Sequence, residues 1–420
     1  MTTTPDPETA SETKSGPQGY RYLFLSLHLP ALALGLGQGI TTPVLPGFAE
    51  SFGVGAGLAA MVFTAQLAGG VGVSIPAGYA IDRFGRRQIL IAGPLITAAS
   101  LFLTAFATAD SFALLLVYRV IGGAGQQMWM VSRLTVIADT GGSSRARQIT
   151  QMFGVQRAGM LVGPLLGGFA ATLWGATIAF VMHGAVALIG VIPSFFVIRE
   201  SAPRRRTGST GTGDSSIGFS WKMLLVRPIP ILFTLQFLAA LTRGGAIGGG
   251  TVFVFAVYAY GTNEATLGVL SSISAAIGIP LTLVAGQIMD RYGRKVAIIP
   301  GLLVFGLSMA FLGLIAALAW PFAAFIAAFI WMQVIAAYLS GSMQTLSTDL
   351  APAQARGTFF GVGRMIGQAG FMANPLSFSI LTALSGFATA FFFLFGTAAA
   401  AASVLGFMLK ETLQKPNDKG

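Results

Sequence analysis

The sequence predicts an all-α integral membrane protein with about twelve transmembrane helices in two pseudo-symmetric six-helix bundles. Three observations predict it. Of the 420 residues 54% are hydrophobic and 9% charged, with mean hydropathy +0.75, where a soluble domain carries about 25% charge. Long apolar runs follow one another along almost the whole chain. One ten-residue pattern also occurs twice, as GYAIDRFGRR at 78–87 and GQIMDRYGRK at 286–295.

Taken in order, the apolar runs lie at 22–45, 57–79, 88–109, 111–138, 150–173, 175–198, 229–259, 265–288, 296–318, 320–347, 357–383 and 387–409. In hydrocarbon a backbone must pair its own N–H and C=O groups, so each run is expected as a helix. The boundary at Trp174-Gly175 is the faintest. Residues 1–19 are polar, lack an apolar core segment and read as a disordered cytoplasmic tail, not a signal peptide. Residues 20–199 are then the first bundle, 200–227 a basic Gly/Ser/Thr-rich cytoplasmic linker, 228–410 the second bundle and 411–420 a second tail.

The formal charge of +11 invites a nucleic-acid reading, and the placement of the charges excludes it. Twenty of the 25 Lys and Arg residues fall in the tails, the linker and alternate loops; the other five lie inside spans, and the opposite loops hold none. The positive-inside rule then sets both termini in the cytoplasm and explains the basic charge by topology. There is no cysteine and there are two histidines, so disulfides, thiol chemistry and a metal site are not expected. No nucleotide-binding P-loop pattern occurs and no cofactor is implied. The converging nucleophiles, bases or metal ligands of an enzyme are not in the sequence either.

The repeat extends further, because Phe153-Gly154-Val155-Gln156-Arg157 returns as Phe360-Gly361-Val362-Gly363-Arg364. Repeats of this kind put a substrate site between the two halves near the bilayer midplane. With the doubled loop on the page, the sequence resembles the major facilitator superfamily (MFS), whose signature loop follows the second span. Leu36-Gly37 followed by Pro43-Val44-Leu45-Pro46, Arg119 with Gly122, Gly123 and Gly125, and the Gly159–Gly168 stretch narrow it. The first is similar to the first-span motif of the twelve-span drug:proton antiporters, the second to the superfamily's Arg/Gly motif and the third to the motif associated with antiporters. The resemblance covers residues 20–410. The last of these motifs has no copy in the second half. The resemblance implies the MFS fold, a secondary transporter and, from the fifth-span motif, antiport.

Gly159, Gly163 and Gly167 recur every four residues, beside Pro164, on one helix face and are expected to let backbones pack closely. Asp82, Arg86 and Asp139, with their counterparts Asp290, Arg294 and Asp349, are expected to latch the cytoplasmic ends when the opposite side is open. The simpler reading is that they only serve topology.

The charges inside spans say most about substrate. An arginine in hydrocarbon needs water, a partner or a ligand, and the sequence places Arg119, Arg133, Arg157, Arg243 and Arg364 there with no deep Asp or Glu. Arg119, Gln126 and Arg133 are spaced by seven, as are Gln236 and Arg243, so each set is expected on one helix face. A positive cavity formed by Arg119, Arg157, Arg243 and Arg364 with Gln38, Gln126 and Gln236 would suit a carboxylate, phosphate or sulfonate on an apolar body, because a guanidinium grips oxyanions with a planar fork. The competing reading, strongest for Arg133 and Arg119, is that these groups bond helix carbonyls or reach for the interface.

The sequence departs from the antiporters at Gly35–Thr42, which lacks the acidic residue many of them carry. His183 and His28 remain as groups titrating near neutrality and are candidates for proton coupling, although a membrane histidine is more often a packing residue. Trp129, Tyr258, Trp331 and Tyr338 are further ligand candidates, although aromatic belts at the membrane interface explain such residues equally well. The expectation is a monomeric, multi-pass plasma-membrane efflux antiporter for an anionic amphiphilic small molecule, with lipid and, where coupled, protons as its other partners. Organic-anion uptake or facilitated diffusion, or a non-transporting receptor on the same fold, are the alternatives.

Overall fold

A computed structural model describes residues 24–107, 111–140, 145–196, 226–244, 250–352 and 356–412. The first tail, most of the linker and the end of the second tail therefore lie outside the described residues. Among the described residues the chain is helical throughout. The first half holds α1 (Leu29–Thr41), entered through a wider π-type turn, then α2 (Leu45–Glu50), α3 (Ala56–Phe84), α4 (Arg86–Ala105), α5 (Phe112–Thr140), α6 (Arg145–Trp174) and α7 (Ala176–Phe196). The second half holds α8 (Ile229–Arg243), α9 (Gly250–Tyr260), α10 (Glu264–Tyr292), α11 (Arg294–Leu318), α12 (Phe322–Tyr338), α13 (Ser342–Leu350), α14 (Arg356–Ser385) and α15 (Phe387–Ser403).

Two expected spans are broken among the described residues. The first divides into α1 and α2 around Pro43 and Pro46, where proline removes backbone donors. The tenth divides at Leu339–Gly341, with Gly341 at φ 84°; in the seventh, residues 245–249 between α8 and α9 lie outside the described residues. Seven of the described helices are long and apolar enough to cross a membrane by composition alone. Those carrying Arg119, Arg157 and Arg364 are not among them, since polar residues turned toward an interior lower their mean hydropathy.

The doubled signature loop owes its glycine to backbone geometry. Gly85 and Gly293 join α3 to α4 and α10 to α11 at φ 92° and 114°, a region that a side chain strains. Within the first half α1 packs along α6 and α7, and α5 along α3 and α4; in the second, α8 packs on α14 and α11 on α15. The halves meet through α6 with α10 and α3 with α14.

These crossings close the ends remote from the signature loops. There the Tyr258 hydroxyl donates to the Val54 carbonyl at 2.6 Å and Ser379 Oγ to the Gly57 carbonyl at 2.5 Å. The Ala265 amide donates to Thr172 Oγ1 at 3.1 Å. Among the described residues the two halves are thus bonded together at the ends remote from the signature loops.

Candidate functional site

Between the halves lies a crevice with three adjoining chambers. The first, of about 200 Å³, lies between α6 and α10 and is lined by Arg157, Ser271, Ser274, Thr282, Gln333 and Ser340 among others. The second, about 340 Å³, lies between α1, α3, α5 and α14 and takes in Gln38, Gln66, Arg119, Gln126, Arg364 and Gln368. The third, about 470 Å³, opens between α8, α13 and α14 at Gln236, Arg243, Ser347 and Arg364. Thr42 and Met160 border the first two chambers; Arg364 and Gln368 border the last two. Among the described residues no Asp or Glu lines any of them.

Arg157 is the cation most available in this crevice. It sits about 18 Å along α6 from its signature-loop end, at 1.5 Å per residue. Its side chain is exposed, and its Nη2 donates to Ser340 Oγ of the other half at 2.7 Å. Ser340 is presented there because the tenth span breaks. Arg364, its repeat equivalent, is exposed where the second and third chambers join.

Arg119 is held differently. It is 6% exposed and its guanidinium donates to Gln66 Oε1, whose amide nitrogen donates on to Gln126 Oε1 at 2.8 Å. Gln38 accepts a long bond of 3.4 Å from Gln156. Arg243 closes the broken tenth span, its Nη1 donating to the Leu339 carbonyl at 2.8 Å. Gln236 donates to Ser347 Oγ at 2.6 Å and keeps a buried, unpartnered Oε1. Asn374 does similar work at the end of α8. It is wholly buried, and its amide donates to the Leu241 carbonyl at 2.5 Å, where α8 runs out.

Arg133 does not join Arg119 and Gln126 in the crevice. A seven-residue step falls about 20° short of two full turns, and the drift carries Arg133 into the first bundle, where it is 0% exposed. Its Cζ lies 5.4 Å from the Trp129 ring centre and its Nη2 donates to Met130 Sδ at 3.6 Å, while Nε and Nη1 have no partner. Trp129 is itself buried in that bundle, remote from ligand. Removing a buried, poorly paired charge in favour of an apolar side chain is neutral or stabilising by about 1–4 kcal/mol. Arg133→Met is therefore expected to hold or raise the melting temperature in detergent. A fall would reveal a counter-ion for Arg133.

His183 is buried, with Nδ1 3.2 Å from Thr41 Oγ1 and its ring against Gly37. Thr41 also lines the second chamber, and His183 is not among its lining residues. His28, in the π-type turn ahead of α1, stacks on Phe24. Tyr258 belongs to the sealed end, and Trp331 packs against Phe311. In the second signature loop Arg294 bridges Asp290 at 2.6 Å and Asp349 at 3.0 Å. Both Glu411 oxygens accept from the Arg294 and Lys295 amides at 2.9 and 3.0 Å, which ties the end of the second half to the same loop. The side chains of Asp82 and Asp139 lie outside the described residues.

Sequence spacing pointed to the arginines and three glutamines but not to Gln66, Ser340 or Asn374. Each is an uncharged polar residue outside those patterns, distinguished only by what the fold sets opposite it.

The family model described as Major Facilitator Superfamily matches residues 28–375 and 232–420, which together span the described fold. The chain belongs to the Major Facilitator Superfamily. The MFS architecture is also that of solved structures. A D-xylose-proton symporter superposes with TM-score 0.76 at 19% identity, covering 93% of this chain and 99% of that one. The nucleoside transporter NupG gives 0.70 at 12%, covering 92% and 100%. Curated relatives include Multidrug resistance protein 2 of Bacillus subtilis, 26% identical over 62% of this chain and 65% of its own length. The class B tetracycline resistance protein of Escherichia coli is 28% identical over 56% and 57%. The quinolone resistance protein NorA of Staphylococcus aureus is 28% identical over 48% and 50%. The alignments thus span between half and two thirds of these relatives' length. The twelve-span, two-bundle organisation of this MFS chain agrees with the family that its motifs resemble.

Proposed function

We propose that the protein is a secondary transporter that works by alternating access and exports an amphiphilic organic anion or drug. The observation that carries the reading is the crevice itself. It lies between pseudo-symmetric halves, is sealed at one end, and exposes Arg157 and Arg364 with no carboxylate among the described residues that line it. Apolar wall residues such as Met160, Ala275 and Ala336 would take the body of the ligand and Arg157 its anionic head. The relatives named for multidrug, tetracycline and quinolone resistance support export. The asymmetry of Lys and Arg supports a plasma-membrane location with both termini cytoplasmic. The crevice is complete within one chain, which supports a monomer.

The trio Asp290, Arg294 and Asp349, and its counterpart at Asp82, Arg86 and Asp139, would then latch the signature-loop ends in the opposite conformation. Any proton passed by His183 would travel through the Thr41 hydroxyl. Proteoliposomes loaded with a fluorescent naphthalenesulfonate probe test the central reading. Flux of the sulfonate that saturates and responds to an imposed pH gradient is expected. Accumulation of the probe inside energised cells would replace export by uptake, and binding without flux would indicate a receptor.

A further inference from the structure

At the sealed ends the loops of the sequence contain no lysine or arginine; their charged residues are Glu50, Asp110 and Glu264. Two of these acids meet across the seam. Glu50 ends α2 in the first half and Glu264 begins α10 in the second. Gly47 lies one turn before Glu50 on the same helix face, and a Cβ on Gly47 would stand 3.0 Å from Glu264 Oε1. The Glu264 carboxylate therefore rests against the face of α2 that leads to Glu50. Close by, the Tyr258 hydroxyl is committed to the Val54 carbonyl, and the amide after Glu264 to Thr172.

The groups around Glu50 supply no compensating charge. α9 contributes Tyr258 and α10 Glu264, while the adjoining ends of α3 (56–66), α6 (165–174) and α7 (176–182) carry no ionisable side chain. Partial burial first, and the charge of Glu264 second, push the Glu50 carboxyl above its usual range. Glu50 is therefore the acid of this pair poised to take up the proton.

We propose that Glu50 and Glu264 make closure of this end proton-sensitive: two uncompensated carboxylates from opposite halves repel each other when the end closes, and protonation of one removes the repulsion. The inference is independent of what the crevice carries. The sign follows from linkage. The closed form binds the proton more tightly than the open form, in which the two acids are apart. The closed-to-open ratio is therefore constant well above both pKa values, rises as pH falls through the raised one, and levels off below the ordinary one.

The natural absence of cysteine permits a direct test. Ser51→Cys and Ser385→Cys, one exposed residue at the sealed end of each half, carry spin labels in the full chain in lipid nanodiscs. Pulsed EPR distances at about pH 8 and about pH 5 are expected to show the short-distance population gaining up to about tenfold on the long one per unit of pKa difference. Glu50→Gln and Glu264→Gln, made separately, are each expected to favour the short distance at both pH values. An unchanged ratio in the parent, or a parent-like pH response in both variants, overturns the proposal. Closure by calcium at about pH 8 that matches closure by acid also overturns it, in favour of a cation site.

Discussion

Arg157→Ala is expected to weaken binding of an anionic amphiphile by roughly ten- to a hundredfold, the equivalent of one charge-assisted hydrogen bond of about 1.5–3 kcal/mol. The size follows from how each arginine is held. Arg119 is engaged by Gln66 and Arg243 by the Leu339 carbonyl, so a ligand gains little by approaching either. Arg157 is exposed and bound only to a hydroxyl, Ser340 Oγ, which an oxyanion outcompetes because both charges then contribute. Titrating a fluorescent naphthalenesulfonate into the purified protein measures the effect. The matching neutral sulfonamide separates charge recognition from packing, since its affinity is expected to stay within about twofold in the variant. Equal losses for both probes would mean that Arg157 shapes the crevice and does not read charge. Ser340→Ala provides the converse: the anion is expected to bind as tightly as before or more so, because Arg157 is released.

What the sequence revealed, and what it withheld, divides along physical lines. The number of spans and the halving of the chain were legible because hydropathy and a long repeat are summed over many residues. The breaks at Thr42–Val44 and Leu339–Gly341 were not, since a hydropathy window of about 19 residues averages over them. Yet the second of these positions Ser340 and engages Arg243. Spacing by seven placed Gln126 correctly beside Arg119 and Arg133 wrongly, because the drift per step that is tolerable once is not tolerable twice. The glycine of the signature loop could be recognised from its repetition, but its reason, the positive φ at Gly85 and Gly293, appears only in the backbone. The breaks and the arginines also share a cause: exposed backbone and buried charge are both tolerated at membrane depth where they line a cavity. Their convergence on one crevice is stronger support for a ligand site than either alone.

Gly167→Val is expected to cost most of the folded protein. The stripe Gly159, Gly163 and Gly167 of α6 lies directly on the backbone of α1. A Cβ on Gly159 would stand 2.5 Å from the Leu36 amide nitrogen, one on Gly163 2.5 Å from the Leu36 carbonyl oxygen, and one on Gly167 would overlap the Ile40 carbonyl. α1 answers in kind, with Gly39 leaving 2.8 Å to Pro164 Cδ. Backbone atoms cannot turn aside as the tip of a flexible side chain can, so the two helices must separate. In a bilayer, lipid tails solvate apolar side chains as well as a neighbouring helix does, and close packing is what holds the helices together. Ordinary overpacking costs about 1–3 kcal/mol, and a branched side chain driven into a helix backbone exceeds that range. The next residue, Gly168, faces the Glu264 carbonyl of the other half, so a displaced α6 also disturbs the sealed end. Low yield and an early melting transition in detergent are expected for Gly167→Val. Gly154→Ala on the same helix is the control. Its site is open, and the gain in helix propensity of about 1 kcal/mol is expected to leave the melting temperature unchanged or higher. If both variants melted alike, the α1–α6 contact would not be what holds this half together.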